Sequence, residues 1–212
     1  MAGSLTQATV VALYPELQNQ AAAMLGRAFV DDPLSRAIVS HLGEASARVR
    51  ALEHLFRALL AINRRSGQPA FGIMVDRQVT AAAVTEGAGA ASMFAAVVAG
   101  LSQMPRLASA IGPNAIFRAM SGFRVLAANH PAEPHIYLQA LGVDPGHQRR
   151  HLGSALLEYL RLQASARPDV TGVYLETATE ANVAYYSSRG YEVIGEVYPL
   201  GVRMWRMYQR TR

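Results

Sequence analysis

The chain contains no cysteine. That absence excludes a disulfide framework, a thiolate zinc site, an iron–sulfur cluster and a cysteine nucleophile. Lysine is missing too, since all 20 basic residues are arginine, which excludes a Schiff-base lysine and a P-loop lysine. Arginine favours planar, two-pronged contacts with carboxylate and phosphate, so an acidic or phosphorylated partner fits this composition. Charge is sparse at 17% of residues, with a formal net charge of +5. The arginines are scattered, with only Arg64–Arg65 and Arg149–Arg150 adjacent. Without a basic stripe interleaved with aromatics, no nucleic-acid partner is expected. The six histidines lie apart without metal-ligand spacing, and no metal is expected. Residues 1–13 carry no basic stretch leading into an apolar core. They do not read as a secretory signal, and a cytoplasmic location is expected.

What the chain has in quantity is apolar surface. Hydrophobic residues make up 51% of 212 positions, too much for a disordered chain and enough to fill one domain. The segment Gly87–Pro105 is free of charge and long enough to span a bilayer. It is built of Ala, Gly and Ser, and Gln103 and Pro105 close it. A lipid-facing helix would be richer in Leu, Ile and Phe, so the segment reads as a buried or cleft-lining helix and no membrane partner is expected.

Periodicity predicts a helix over Glu16–Val30, ended by Asp31-Asp32-Pro33, and an amphipathic helix over Ser46–Asn63. Phe71–Val75 and Val79–Val84 read as a hairpin. Ala90–Met104 and Asn114–Asn129 read as helices, with Pro105 and Gly112-Pro113 as breaks. His135–Val143 reads as a strand, His147 to about Ala166 as a helix, and Val173–Glu176 as a second strand. That order implies a right-handed βαβ unit with parallel strands. A short helix, Asn182–Ser188, and a terminal hairpin of Tyr191–Val197 and Val202–Met207 follow. The fold class is α/β with a mixed sheet.

The turn after the first parallel strand carries the chemistry. It runs Val143-Asp144-Pro145-Gly146-His147-Gln148-Arg149-Arg150-His151-Leu152-Gly153-Ser154. A helix start has unpaired N–H groups and the positive end of the macrodipole, so it suits phosphate or pyrophosphate. Gly153 lets a ligand come close to the first turn, and Arg149 and Arg150 add charge. The plainer alternative is a solvated helix start with two surface arginines.

These residues resemble the acyl-CoA-binding motif of the GNAT superfamily of N-acetyltransferases, V-x-P-x-x-Q-x-x-G-x-G/A. Val143, Pro145, Gln148 and Gly153 fall in register. Downstream, Asn182 to Tyr191 resembles the family's N-x-x-x-Y-x-x-x-G-[FY] ending. Leu175-Glu176-Thr177 and Ala28-Phe29-Val30-Asp31-Asp32-Pro33 are similar to the puromycin N-acetyltransferase branch. The resemblance covers Ile136–Met207 firmly and Gly87–Asn129 only in helical character. One departure is His151, which stands where the family usually has Gly; a shifted register, Arg150-x-x-Gly153-x-Ala155, also fits.

The resemblance implies a GNAT-like mixed sheet of about six to seven strands in a single domain over residues 1–212. Its acyl-CoA core lies at about 135–207, with a helical insertion at about 87–129. Acetyl-CoA is the implied co-substrate. Its pantetheine arm would pair with Leu141, Gly142 and Val143, with Gly142 at a bulge or a close ligand approach. Gln148, Arg149, Arg150, His151, Leu152, Gly153 and Ser154 would hold the pyrophosphate. Arg149 or Arg150 either reaches the 3′-phosphate or stays an ordinary surface residue. Asn182 either approaches the pantetheine or caps its helix. Tyr186 is the implied general acid for the departing thiolate, against the alternative of a core tyrosine and with Tyr185 as confounder. The Leu141 N–H is the implied oxyanion donor. Glu176 is the first candidate to take the amine's proton or bind a cationic substrate, with a structural ion pair as the alternative. Tyr137, Gln139 and His135 are weaker candidates.

The expected activity is transfer of an acetyl group to a small-molecule primary amine by direct attack in a ternary complex. A protein N-terminal or lysine acetyltransferase and a non-catalytic acyl-CoA-binding module are the alternatives. A homodimer is left open.

Overall fold

The structure, a computed structural model, describes residues 9–87 and 93–211. Residues 1–8, most of the stretch read for a secretory signal, and residues 88–92 of the uncharged segment lie outside the described residues. Seven strands form one mixed sheet in the order β1-β2-β3-β4-β5-β7-β6. They are β1 Val10–Ala12, β2 Ala70–Val75, β3 Gln78–Glu86, β4 Ile136–Val143, β5 Gly172–Thr177, β6 Glu192–Val197 and β7 Met204–Arg210. Among the described residues only β4 and β5 run parallel, and the rest pair antiparallel. The expected α/β mixed sheet with a central βαβ unit is the architecture found.

Side-chain alternation divides the core in two, because successive strand residues point to opposite faces. One cluster joins α1 Pro15–Ala28, α2 Pro33–Ile38, α3 Ala45–Arg65, α4 Met93–Ile111 and α5 Pro113–Ala127 to Val79, Ala82, Val84 and Ala140. The other joins α6 Leu152–Ala166 to Ile73, Ala81, Ala83, Leu138, Val173 and Leu175, and it also takes in Tyr186 of α7 Glu180–Ser187. The central strand β3 is buried from Val79 through Thr85 because both faces are covered. Among the described residues, no helix is long and apolar enough to cross a membrane.

Three expectations about boundaries are corrected. α4 does not break at Pro105 but continues through it to Ile111. The chain turns instead at Gly112, with φ 78°, before Pro113 opens α5. The helix expected from His147 begins at Leu152. Pro145–His147 is a separate 3₁₀ turn, and left-handed residues keep the α-helix from extending backwards. The short helix starts at Glu180 rather than Asn182, because the Thr179 hydroxyl accepts from the Asn182 N–H at 3.2 Å and caps it. Strand β1 and helix α2, which packs against α5, carry too few residues for a periodic signal.

Candidate active site

The site is built where β4 and β5 stop pairing. Only Ile136, Tyr137 and Leu138 align with Val173, Tyr174 and Leu175. Beyond them β4 stays paired with β3 through Val143. The Asp144 N–H donates to Thr80 C=O on the β3 side at 2.8 Å. Strand alternation therefore turns the Val143 and Leu141 amides toward the β5 side, where no strand receives them. Two main-chain donors face an open parting of the sheet.

At the head of that parting the chain makes the turn into α6. Asp144 anchors it: its carboxylate accepts from the Gly146 N–H at 3.1 Å and pairs with Arg27 of α1 at 2.5 Å. The Arg27 hydrogen bonds help hold the Asp144 carboxyl below the usual carboxylate range. The first helical bond of α6 runs from the Ala155 N–H to His151 C=O at 3.0 Å. The N–H groups of Leu152, Gly153 and Ser154 consequently have no acceptor within the helix. Gln148, Arg149, Arg150 and His151 are exposed around them. Arg149 and His151 sit at φ 60° and 61°, in the left-handed region that a side chain adopts at a cost. His151 thus occupies the conformation for which glycine is the natural choice, which explains why the motif places Gly there.

The two glycines serve packing as well as access. A Cβ on Gly142 would fall 2.6 Å from Leu25 Cδ2 and 3.2 Å from Phe29 Cε2, so this residue lets α1 lie on β4. The bulge expected at Gly142 lies instead at Gln139, because Val84 pairs with Ala140 and Thr85 with Leu138. A Cβ on Gly153 would lie 2.9 Å from Tyr185 Oη. Tyr185 thereby locks α7 to the first turn of α6, helped by Ser154. The Ser154 hydroxyl accepts from Arg189 Nη2 at 2.7 Å, and Arg189 stacks 3.6 Å over the Tyr185 ring.

Tyr185 and Tyr186 are therefore separated by position. Tyr186 is buried between the Tyr185 and Tyr191 rings, with centroids at 5.4 and 5.6 Å. Burial pushes its phenol well above the ordinary value; the Arg189 charge offsets this in part and the Asp32 carboxylate adds to it. It is a protonated donor at any physiological pH. Asn182 is exposed on the same helix, and its side chain is not the cap.

Glu176 lies on the opposite face of the sheet from Leu175. The Tyr174 hydroxyl donates to it at 2.8 Å, and Tyr137 hydrogen-bonds it as well. Only 3% of its side chain is exposed. Burial raises its carboxyl, while the two tyrosines and the Arg206 charge pull it back. Among the described residues no arginine bridges Glu176, and His130 Nε2 lies 3.9 Å from its carboxylate. His130 packs on His135, Tyr137 and Tyr174, and burial lowers it to about 4, so it is neutral there. Sequence reasoning missed His130, which lies six residues before β4 in a loop with no motif. It also gave no separate role to Asp32, whose side chain accepts from the Ser35 N–H at 2.8 Å and whose burial raises its carboxyl. The Asp-Pro pair at a helix start was the available signal for it. Among the described residues no group of His, Asp or Glu forms a metal-binding cluster.

The profile of the acetyltransferase (GNAT) domain matches residues 115–193, which take in β4, the turn, α6, β5 and α7. Residues 115–193 carry a GNAT acetyltransferase domain. Its class is therefore that of acyl-CoA-dependent acyltransferases. Solved GNAT-type structures superpose over almost the whole chain. The Corynebacterium glutamicum protein described as histone acetyltransferase HPA2 and related acetyltransferase is 19% identical at a TM-score of 0.64, covering 95% of this chain and 94% of that one. The arylalkylamine N-acetyltransferase 2 of Aedes aegypti is 12% identical at 0.59, covering 96% and 99%. The GNAT-like decarboxylase GphF, in complex with isobutyryl-CoA, is 15% identical at 0.57, covering 96% and 100%. These three names differ in acceptor and even in reaction, so the shared fold does not choose an acceptor for this chain.

Proposed function

We propose that the protein transfers the acetyl group of acetyl-CoA to a primary amine of a small molecule, by direct attack in a ternary complex. The observation that carries this reading is the parting of β4 from β5, with the Leu141 and Val143 amides turned into it beneath the free amides of Leu152, Gly153 and Ser154. On this reading the helix-start amides hold the diphosphate, the β4 amides pair with the pantetheine arm, and the thioester lies near Leu138. The Leu141 N–H stabilises the oxyanion that forms when the amine attacks. Tyr186 Oη gives its proton to the thiolate of CoA as the C–S bond breaks. The amine's proton leaves toward Glu176 through water.

The small-molecule acceptor is supported by the helical insertion. α5 packs on α2 and on the 199–201 turn, with Leu34 and Leu200 lying against Gly122. Arg118 Nε donates to Ile38 C=O at 2.8 Å and ties α5 to the end of α2. These helices pack on the α1–α5 side of the sheet, the side to which alternation assigns Glu176, and so lie on the side where the acceptor would bind. Buried carboxylates at Glu176 and Asp32 favour a cationic amine. The test is thiol release from acetyl-CoA against aminonucleosides, polyamines, aminoglycosides and peptides. Release with a small amine and not with peptides supports the reading. Release with peptides alone assigns a protein acceptor, and binding of acetyl-CoA without release assigns a non-catalytic module.

A further inference from the structure

Asn63 stands in the last turn of α3 with only 5% of its surface exposed. A buried amide on a helix that faces a sheet is costly unless it is paired. Its Nδ2 donates twice, to Thr85 C=O at 3.1 Å and to Gln139 Oε1 at 2.7 Å. Gln139 Nε2 donates onward to Glu86 Oε2 at 2.9 Å. The direction of this chain is fixed at both ends, because a backbone carbonyl and a carboxylate can only accept.

The chain crosses the bulge in β4. Gln139 is the extra residue there, lying between Leu138, which pairs with Thr85, and Ala140, which pairs with Val84. An extra residue bends its strand and increases the local twist. Leu138 is also the last residue of β4 aligned with β5. The bend braced by Asn63 therefore coincides with the point at which the Leu141 and Val143 amides become available. We propose that Asn63 is a positioning residue for acyl transfer: bridging Thr85 and Gln139 across the bulge, it fixes the direction in which the Leu141 N–H meets the thioester carbonyl. The inference rests on the acyl-transfer reading above and deepens it. Asn63 lies 76 residues before Gln139 and outside both sequence motifs.

The test reverses the polarity of the chain. In Asn63→Asp the carboxylate faces two acceptors, and Gln139 can satisfy it only by turning its own oxygen toward Glu86. In Asn63→Asp/Glu86→Gln the new amide donates to that oxygen, so the chain runs the other way. Asn63→Asp is expected to lower kcat by about tenfold or more, as loss of an aligned oxyanion donor does. Its acetyl-CoA Kd should stay within about threefold, because the diphosphate grip at residues 152–154 is untouched. The double variant should recover at least about a third of the lost kcat on the logarithmic scale, with Thr85 C=O still unpaired. The Leu141 amide resonance of the ligand-free protein should move in the single variant and return toward its place in the double. Asn63→Ser, which keeps one donor, should fall between wild type and Asn63→Asp and serves if the latter does not fold. An unchanged kcat and Leu141 resonance in the single variants, or losses undiminished in the double, would overturn the positioning role. Wild-type protein that transfers acetyl to no amine refutes the acyl-transfer reading by itself, and the Leu141 resonance then still decides whether Asn63 orients that amide.

Discussion

Tyr186 and Tyr185 are neighbours in sequence with different physical positions. Tyr185 spends its hydroxyl near Ser154 and its ring under Arg189. Tyr186 keeps its phenol buried between the Tyr185 and Tyr191 rings, and burial holds it protonated. Tyr186→Phe is expected to lower kcat by about 10²-fold or more while leaving the acetyl-CoA Kd nearly unchanged, since general-acid help is felt in the transition state. Steady-state kinetics with calorimetry checks it, and equal turnover removes the assignment. His130 gives a second expectation. Its folded value, about 4, lies below the ordinary 6.5. Between those values the unfolded chain binds the proton and the folded chain does not, so stability rises with pH there. The contribution is complete above about pH 6.5 and is lost as pH falls through about 4. His135, Tyr137, Tyr174, Glu176 and Arg206 surround the ring and stay the same in a His130→Phe variant. That variant should show a shallower loss of denaturation midpoint than wild type between pH 7 and pH 4. Parallel curves would place the buried neutral imidazole elsewhere.

At the scale of elements, the turn into α6 is where local sequence and local structure agree most closely and also where the chain carries strain. His151 holds φ 61° without a side-chain capping bond. His151→Gly should relieve up to about 1 kcal/mol of left-handed cost, a rise in Tm of about 2–4 °C for a chain of this size. Donor affinity should be kept or improved, since the backbone is already in the form the anion needs. A fall in Tm, read by calorimetry, would mean the imidazole makes a compensating contact.

Such contiguous features were legible in advance. Val143, Pro145, Gln148 and Gly153 lie within eleven residues and act through one turn, so their spacing reports the geometry directly. The parallel pair, the helix between its strands and the terminal hairpin followed from periodicity and turn residues. Less legible were features set by distant partners. Gly142 reads as a place for a bulge, yet its Cβ is excluded by Leu25 and Phe29 of α1. The bulge falls at Gln139, whose side chain is held by Asn63 and Glu86, both far from it in sequence. Pro105 reads as a helix break, but α4 continues past it, and the contacts of α4 with α3 and α5 outweigh one lost backbone bond.

For the whole molecule, the sheet separates two tasks. The turn before α6 and its first residues present main-chain donors, which on the proposed reading hold an anionic carrier. Tyr137, Tyr174 and Glu176 lie together on the opposite face with His130, where on the proposed reading the acceptor would bind. The two meet only where β4 and β5 part. The most direct measurement of the account is a backbone-amide NMR titration of the intact protein with CoA. The account predicts the largest shifts at Leu141, Val143 and the run from Arg149 to Ser154, with little change along β1 and β2. Saturation with the largest shifts elsewhere, or no binding at millimolar CoA, would contradict it.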